Sequence, residues 1–183
     1  MNYLAHLYLA KPTADSHFGN LLGDFGGQRQ VTHLPTTVKS ALDNHYLVDK
    51  FTDTHPLVKE AKQFFSAKRR RFAGVAVDVV FDHFLIAHWQ QFNNQSLIDF
   101  KHTSYGLLDK RIPVMPTRMQ RVVTSMTQND WFKEYESVDG VGLALDNIAK
   151  RIRFTNTFSG AAEDISRHYN ELDGLFLAFF PEL

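Results

Sequence analysis

Apolar residues recur along this chain at three- and four-residue intervals, with no sustained alternation of apolar and polar positions, so the pattern predicts helices almost throughout. A first helix is expected over residues 2–10, and a short one carries "FGNLLGDF", ended by Gly26 and Gly27. Pro35 with Thr36 and Thr37 opens the next, from about Val38 to Thr52. His55 and Pro56 mark a break before a charged amphipathic helix, "LVKEAKQFFSAKRRR". An oily helix follows at about 73–91, then the turn "NNQS" and the break "IPVMP". Further helices are expected at about 117–128, 138–152 and 158–179. Residues 1–183 contain no repeat, low-complexity tract or linker, which predicts one all-α domain, a single helical bundle.

Several of these helices break their own pattern in the same way. "VAVDVVFDHFLIAHW", residues 75–89, sets Asp78, Asp82, His83 and His88 among large apolar side chains. At 100° per residue, Asp78 and Asp82 share a face with Leu85 and Trp89 and, two turns earlier, with Arg71. On 38–53, His45 and Asp49 fall in the apolar stripe defined by Val38, Ala41 and Leu42, with Asp53 at its edge. The pairs Asn2/His6, Asn20/Asp24, His45/Asp49 and Asp78/Asp82 are each four residues apart, a spacing that projects two side chains together toward one point of a bundle core.

Each pair also has a plain reading. His6 can be a core histidine bonded to a carbonyl, Asp49 a local cap or salt bridge, Asp53 a helix-end residue, and Asp78 the partner of Arg71. His88 and Trp89 read as packing, and His17, His33, His102 and His168 as solvated. Arg71 alone cannot neutralise three or more inward carboxylates, because a buried unpaired carboxylate costs several kcal/mol or takes up a proton. A divalent cation supplies the missing charge. Oxygen donors with imidazole suit Mn²⁺ or Mg²⁺, with Fe²⁺ possible and Zn²⁺ less natural.

Composition narrows the field. The formal charge is +0, from 20 basic and 20 acidic residues, so no global field favours nucleic acid or membrane, and an acidic partner has to meet a local basic patch. There is no cysteine, which excludes disulfides and thiolate chemistry. "MNYLAHLYLA" lacks a basic n-region and is interrupted by Asn2 and His6, so a cytoplasmic protein is the expectation. No phosphate-binding glycine loop, nucleophile elbow or H-E-x-x-H is present. "KRRR" (68–71) can hold phosphate or an acidic protein, or be a solvated helix end.

The segments "NYLAHLYLA", "GNLLGDF", "HYLVDKFTDTHP" and "RRRFAGVAVDVVFDHFL", in this order and spacing, resemble the acyl carrier protein phosphodiesterase family. The C-terminal "HYNELDGLFLAFFP" adds to the likeness. The resemblance implies an all-helical, distorted HD-like fold and removal of 4'-phosphopantetheine from holo-acyl carrier protein, an acidic protein, with Mn²⁺ as the favoured metal. It implies that Asp24 and His45 belong to the metal centre, with Asp78, Asp82 and His83 completing it. For the proton transfers, Asp78 or Asp82 is the candidate to orient or deprotonate water, and His83 or His6 the candidate to protonate the leaving oxygen. Lys59, Lys62, Lys68, Arg69 and Arg70 are the expected landing surface for the carrier protein. HD phosphohydrolases place His before Asp, whereas the adjacent pair here is Asp82–His83, so their ligand map does not transfer position by position. An HD-type hydrolase of a nucleotide or other small phosphodiester, and a non-catalytic helical interaction protein, are the competing readings.

Overall fold

The computed structural model describes residues 1–27 and 33–183. All regular structure among the described residues is helical. In chain order the helices are α1 (Tyr3–Tyr8), α2 (Ala14–Leu22), α3 (Thr36–Thr54), α4 (Pro56–Ala61), α5 (Ala73–Ala87) and α6 (Trp89–Phe92). They continue with α7 (Leu97–Asp109), α8 (Thr117–Asn129), α9 (Trp131–Glu134), α10 (Val138–Arg151), α11 (Ala162–Arg167) and α12 (Tyr169–Phe179). The chain packs as two compact units, one of residues 3–50 and 89–132, the other of residues 1–2, 51–88 and 133–183. No helix is long and apolar enough to cross a membrane among the described residues.

In the first unit, α2 begins where the Thr13 hydroxyl accepts the Ser16 N–H at 3.2 Å, satisfying a backbone donor that the first turn leaves open. A 3₁₀ turn, Gly23–Phe25, follows it and ends at Gly26, whose φ of 78° is a left-handed conformation natural to glycine. α2 packs on α1 and α7, burying Phe18, Leu21 and Leu22 beside Leu4, Leu7 and Leu108. Gly19 sets the crossing of α2 and α3: a Cβ there would lie 2.5 Å from both Ala41 Cβ and the Val38 carbonyl oxygen. α7 fills a stretch where the pattern named no helix; Ser96 caps it by accepting the Asp99 N–H at 3.1 Å. His17, expected in solvent, is buried, with Nδ1–H donating to the Lys11 carbonyl at 3.2 Å and Nε2 accepting from Ser104 Oγ at 3.1 Å.

The second unit is built around the oily helix. Val77, Val80, Phe81, Phe84 and Leu85 of α5 are fully buried. The rings of Phe81 and Phe84 pack on Phe176 of α12 at centroid distances of 5.4 and 5.9 Å. The charged segment ahead of α5 is not one helix. α4 and a short 3₁₀ turn stop at Phe65, which is extended (φ −83°, ψ 134°) and buried. The Asp164 carboxylate accepts both the N–H (3.1 Å) and the hydroxyl (2.8 Å) of Ser66. Asp164 also meets the Arg69 guanidinium at 3.3 Å. A remote carboxylate therefore takes the place of the Lys62 carbonyl of the preceding turn as acceptor for the Ser66 N–H, and the helix ends. The helix expected over 158–179 is likewise two, α11 and α12, separated at His168.

Arg69 and Asp164 are both nearly inaccessible, and Arg69 also donates to Glu163 Oε2 at 2.9 Å. Burial would raise the Asp164 carboxyl, but the two Ser66 hydrogen bonds and the Arg69 charge outweigh it and hold it below the ordinary 3.8. A folded-state value below the unfolded one stabilises above about pH 4 and loses that contribution as pH falls through the lowered value. Asp164→Ala is therefore expected to cost about 1–3 kcal/mol at pH 7, the range for leaving buried donors without their acceptor, since Ser66 loses its partner while Arg69 keeps Glu163. Urea unfolding at pH 7 measures the loss, and the gap between wild type and variant should narrow below pH 4.

Candidate metal centre

α3 carries His45 and Asp49 four residues apart, so both project from one face. α1 brings His6 to the same point. His6 is fully buried, His45 nearly so and Asp49 half-buried. Nε2 of His6 lies 3.1 Å from Asp49 Oδ1, and Nε2 of His45 lies 3.1 Å from Asp49 Oδ2. The two imidazoles stack with centroids 4.1 Å apart and planes 23° from parallel. One nitrogen from each histidine and one Asp49 oxygen fall within 4.8 Å of one another.

α2 fixes this group. Its Asn20 carbonyl accepts Nδ1–H of His45 at 2.7 Å, which turns Nε2 toward Asp49. Asn20 is itself held, donating to the Ser16 carbonyl at 2.9 Å and accepting from Asn44 Nδ2 at 2.8 Å. Gly23 makes the space. A Cβ at this position would lie 2.0 Å from Cδ2 and 2.1 Å from Nε2 of His45.

Electrostatically the three groups are unequal. Burial lowers His6 to about 4, against the pull of the adjacent Asp49 carboxylate. For His45 burial acts downward too, but Asp49, Asp24 and the Asn20 carbonyl outweigh it and raise the imidazole. Burial would raise Asp49, yet its contacts with His45 and His6 hold it well below the ordinary carboxylate range. The group therefore favours an ionised Asp49 and an uncharged His6.

A divalent cation can be tested against this geometry. Among the described residues the buried His6 Nδ1 has no hydrogen-bond partner, and His6 Nε2 faces the Asp49 carboxylate at 3.1 Å. A buried imidazole aimed at a carboxylate, a second imidazole oriented through its other nitrogen, and an ionised carboxylate make a fitting donor set for a divalent metal. Three protein donors also leave positions for water and a substrate oxygen.

The other expected residues fall in different places. Asp24, on the 3₁₀ turn after α2, is exposed, and its charge reaches His45. Asp78, Asp82 and His83 lie on α5, in the other unit. Asp78 meets the Met1 amino group at 3.2 Å rather than Arg71. Asp82 is fully buried. His83, the candidate acid, is buried, with Nδ1–H donating to the Tyr135 carbonyl at 2.7 Å and Nε2 accepting from the Tyr169 hydroxyl at 2.9 Å. Burial lowers its pKa in keeping with a neutral ring. His88, expected to pack, instead meets Asp173 at 2.6 Å.

On the expected landing surface, Lys59, Lys68 and Arg70 are exposed, and Lys62 pairs with Asp53 at 3.1 Å. Arg69 leaves that surface, being buried against Glu163 and Asp164. Two signals of the metal group lie in the sequence itself: Asp49 shares the apolar stripe of its helix with His45, and the Gly19/Gly23 spacing in "GNLLG" marks a close helix approach.

The family model for acyl carrier protein phosphodiesterase matches residues 1–183. A Yersinia pestis protein named acyl carrier protein phosphodiesterase is 35% identical over 100% of this chain and 95% of its own length. Proteins of the same name from Yersinia enterocolitica and Serratia proteamaculans are 37% and 33% identical over the same shares. No solved structure matches the chain.

Because Gly23 keeps an ordinary right-handed conformation (φ −54°), alanine there is opposed first by the His45 ring, which holds the three nearest atoms. Gly23→Ala is expected to displace that ring, keep the far-ultraviolet helical spectrum, and weaken Mn²⁺ binding measured by titration calorimetry at least as much as Asn44→Ala. Wild-type affinity in Gly23→Ala would show that His45 is not held by this contact.

Proposed function

The chain belongs to the acyl carrier protein phosphodiesterase family, and on that footing we propose that it hydrolyses holo-acyl carrier protein to apo-acyl carrier protein and 4'-phosphopantetheine. The observation that carries the reading is the convergence of His6, His45 and Asp49 in a chain matched by that family from end to end. Mn²⁺ is the proposed metal, with Mg²⁺ or Fe²⁺ as alternatives, and His6, His45 and Asp49 would hold it. Bound there, a divalent cation would draw charge from phosphoryl oxygens and lower the pKa of water at its open positions.

The chain's own residues do the rest. Asp49 offers two oxygens at 3.1 Å from separate imidazoles, so one carboxylate sets the spacing of both. The Asn20 carbonyl keeps His45 in one tautomer. The exposed Asp24 adds negative charge at the rim, where it can take up a proton or orient water. Asp78 and Asp82 remain proposed members of the metal centre and acid–base candidates on their charge and their place in the family segment "DVVFDHF". In the proposed reaction water adds its oxygen to phosphorus, the carrier serine oxygen leaves and takes a proton, and the phosphate stays on the pantetheine. The same reading places the reaction in the cytoplasm, acting on the carrier of fatty acid biosynthesis.

Incubation of the protein with holo-carrier protein and Mn²⁺ should lower the intact mass of the carrier by one phosphopantetheine group. Heavy-oxygen water should place its label in the released phosphate. Chelation should stop the reaction and Mn²⁺ restore it. Asp49→Asn should reduce turnover by several orders of magnitude and weaken Mn²⁺ binding by calorimetry while the helical spectrum stays unchanged. An unchanged carrier mass, or a phosphoserine product, would sink the proposal.

A further inference from the structure

Two basic runs far apart in sequence, "KRRR" at 68–71 and "KRIR" at 150–153, are brought together in the second unit. The Thr157 hydroxyl donates to the Lys68 carbonyl at 2.5 Å. The Phe72 ring packs on Phe154 and Phe158, with centroids 6.2 and 5.2 Å away. The Arg71 guanidinium lies over Phe154, 4.7 Å from its centroid, and not toward Asp78. Residues 68–72 therefore run along the segment that leaves the C-terminus of α10, and the basic end of that helix adjoins them.

Six cations of these runs are exposed: Lys68, Arg70, Arg71, Lys150, Arg151 and Arg153. Those with a polar contact meet neutral acceptors. Arg70 donates to the Phe65 and Gln63 carbonyls, Lys150 to Asn147 Oδ1 at 3.5 Å, and Arg151 to the Asn147 carbonyl at 3.0 Å. The neighbouring anions have other direct partners, Glu163 meeting Arg69 at 2.9 Å and Asp146 accepting from Ser159 Oγ and the Gly160 N–H at 2.9 and 2.8 Å, though the Glu163 charge also reaches Lys68. Among the described residues no ion pair forms to any of the six. Of 20 basic residues in the chain these six leave 14 to face 20 acidic ones, so the patch is a local excess on an otherwise acidic molecule. An apolar side chain accompanies it, Phe154, which is 48% exposed.

We propose that the surface formed by Lys68, Arg70, Arg71, Lys150, Arg151, Arg153 and Phe154 docks an acidic protein, and that this partner is the carrier protein itself. The identity of the partner rests on the proposed function; the surface rests on charge and packing. Unpaired cations at a surface raise the association rate of a complementary acidic patch, and an aromatic among them supplies the apolar anchor of a protein interface. A long nucleic-acid polyanion is disfavoured, because the rest of the chain repels it.

The test is the full-length triple variant Lys68→Glu/Lys150→Glu/Arg153→Glu, beside a control of equal charge change, Lys39→Glu/Lys110→Glu/Arg121→Glu, in the other unit. Binding of fluorescent apo-carrier protein, followed by anisotropy, reads docking without any phosphodiester present. The patch variant should bind about tenfold or more weakly and lose most of the salt dependence, the size expected when several complementary charges are reversed. The control should stay within about twofold of wild type, as substitutions that share no partner with the patch do. Phe154→Ala should weaken binding with the salt dependence retained. Wild-type affinity in the patch variant, an equal loss in the control, or tighter binding of a single-stranded RNA oligonucleotide than of carrier protein would overturn the proposal. Wild-type protein that binds apo-carrier protein through the patch but releases no 4'-phosphopantetheine from the holo form would leave the surface standing and remove the proposed reaction.

Discussion

The Asp49 carboxylate is the constraint on which the first unit's site depends. Its two oxygens stand 3.1 Å from Nε2 of His6 and of His45, so one ionised group fixes two imidazoles on two helices. Placing a carboxylate there is tolerable only because positive charge or its equivalent converges on it. That requirement reaches back into the packing. The His45 ring fits because Gly23 has no Cβ, α2 approaches α3 because Gly19 has none, and His45 is oriented because α2 directs the Asn20 carbonyl at it. The helix crossing and the ligand geometry are one problem, so a methyl group on α2 would act on both.

Within that frame, periodicity carries information of a particular kind. It locates His45 and Asp49 on the apolar stripe of α3, because a single helix determines which of its residues share a face. It flags His6 for the same reason. It does not reveal whether an inward polar residue meets a metal, a carbonyl or a hydroxyl, since the partner belongs to another helix. His17 and His83 show this: both are buried, and both have their two nitrogens taken by oxygens at sequence separations of up to 87 residues. The charged helix over 57–71 fails as an expectation on similar grounds. Its local pattern is helical, but Asp164, 98 positions beyond Ser66, takes the N–H that the Lys62 carbonyl of the preceding turn would have accepted.

Four consecutive cations show how little a charge run says until its partners are known. Lys68 is exposed, Arg69 is buried between two carboxylates, Arg70 turns back onto backbone carbonyls, and Arg71 lies on Phe154. Arg69 reads as a surface residue in sequence and is a core residue in the fold. Its guanidinium replaces a missing helical turn by joining residues 66–69 to α11, and it has no charge left to offer a partner.

The neighbours of Arg69 gain from that exchange. A guanidinium in the core binds Glu163 and Asp164, and the charge of Lys68 also reaches the exposed Glu163. Pairing the inner cation thus leaves the outer ones without an ion pair of their own among the described residues. Net charge zero over the chain then becomes an advantage in discrimination. A uniformly basic protein attracts every polyanion, whereas a confined basic patch on an acidic body favours a partner whose own negative charge is equally confined. The buried ion pair and the exposed patch are two sides of one arrangement: the first sets where the chain folds back, and the second follows from which charges that fold consumes.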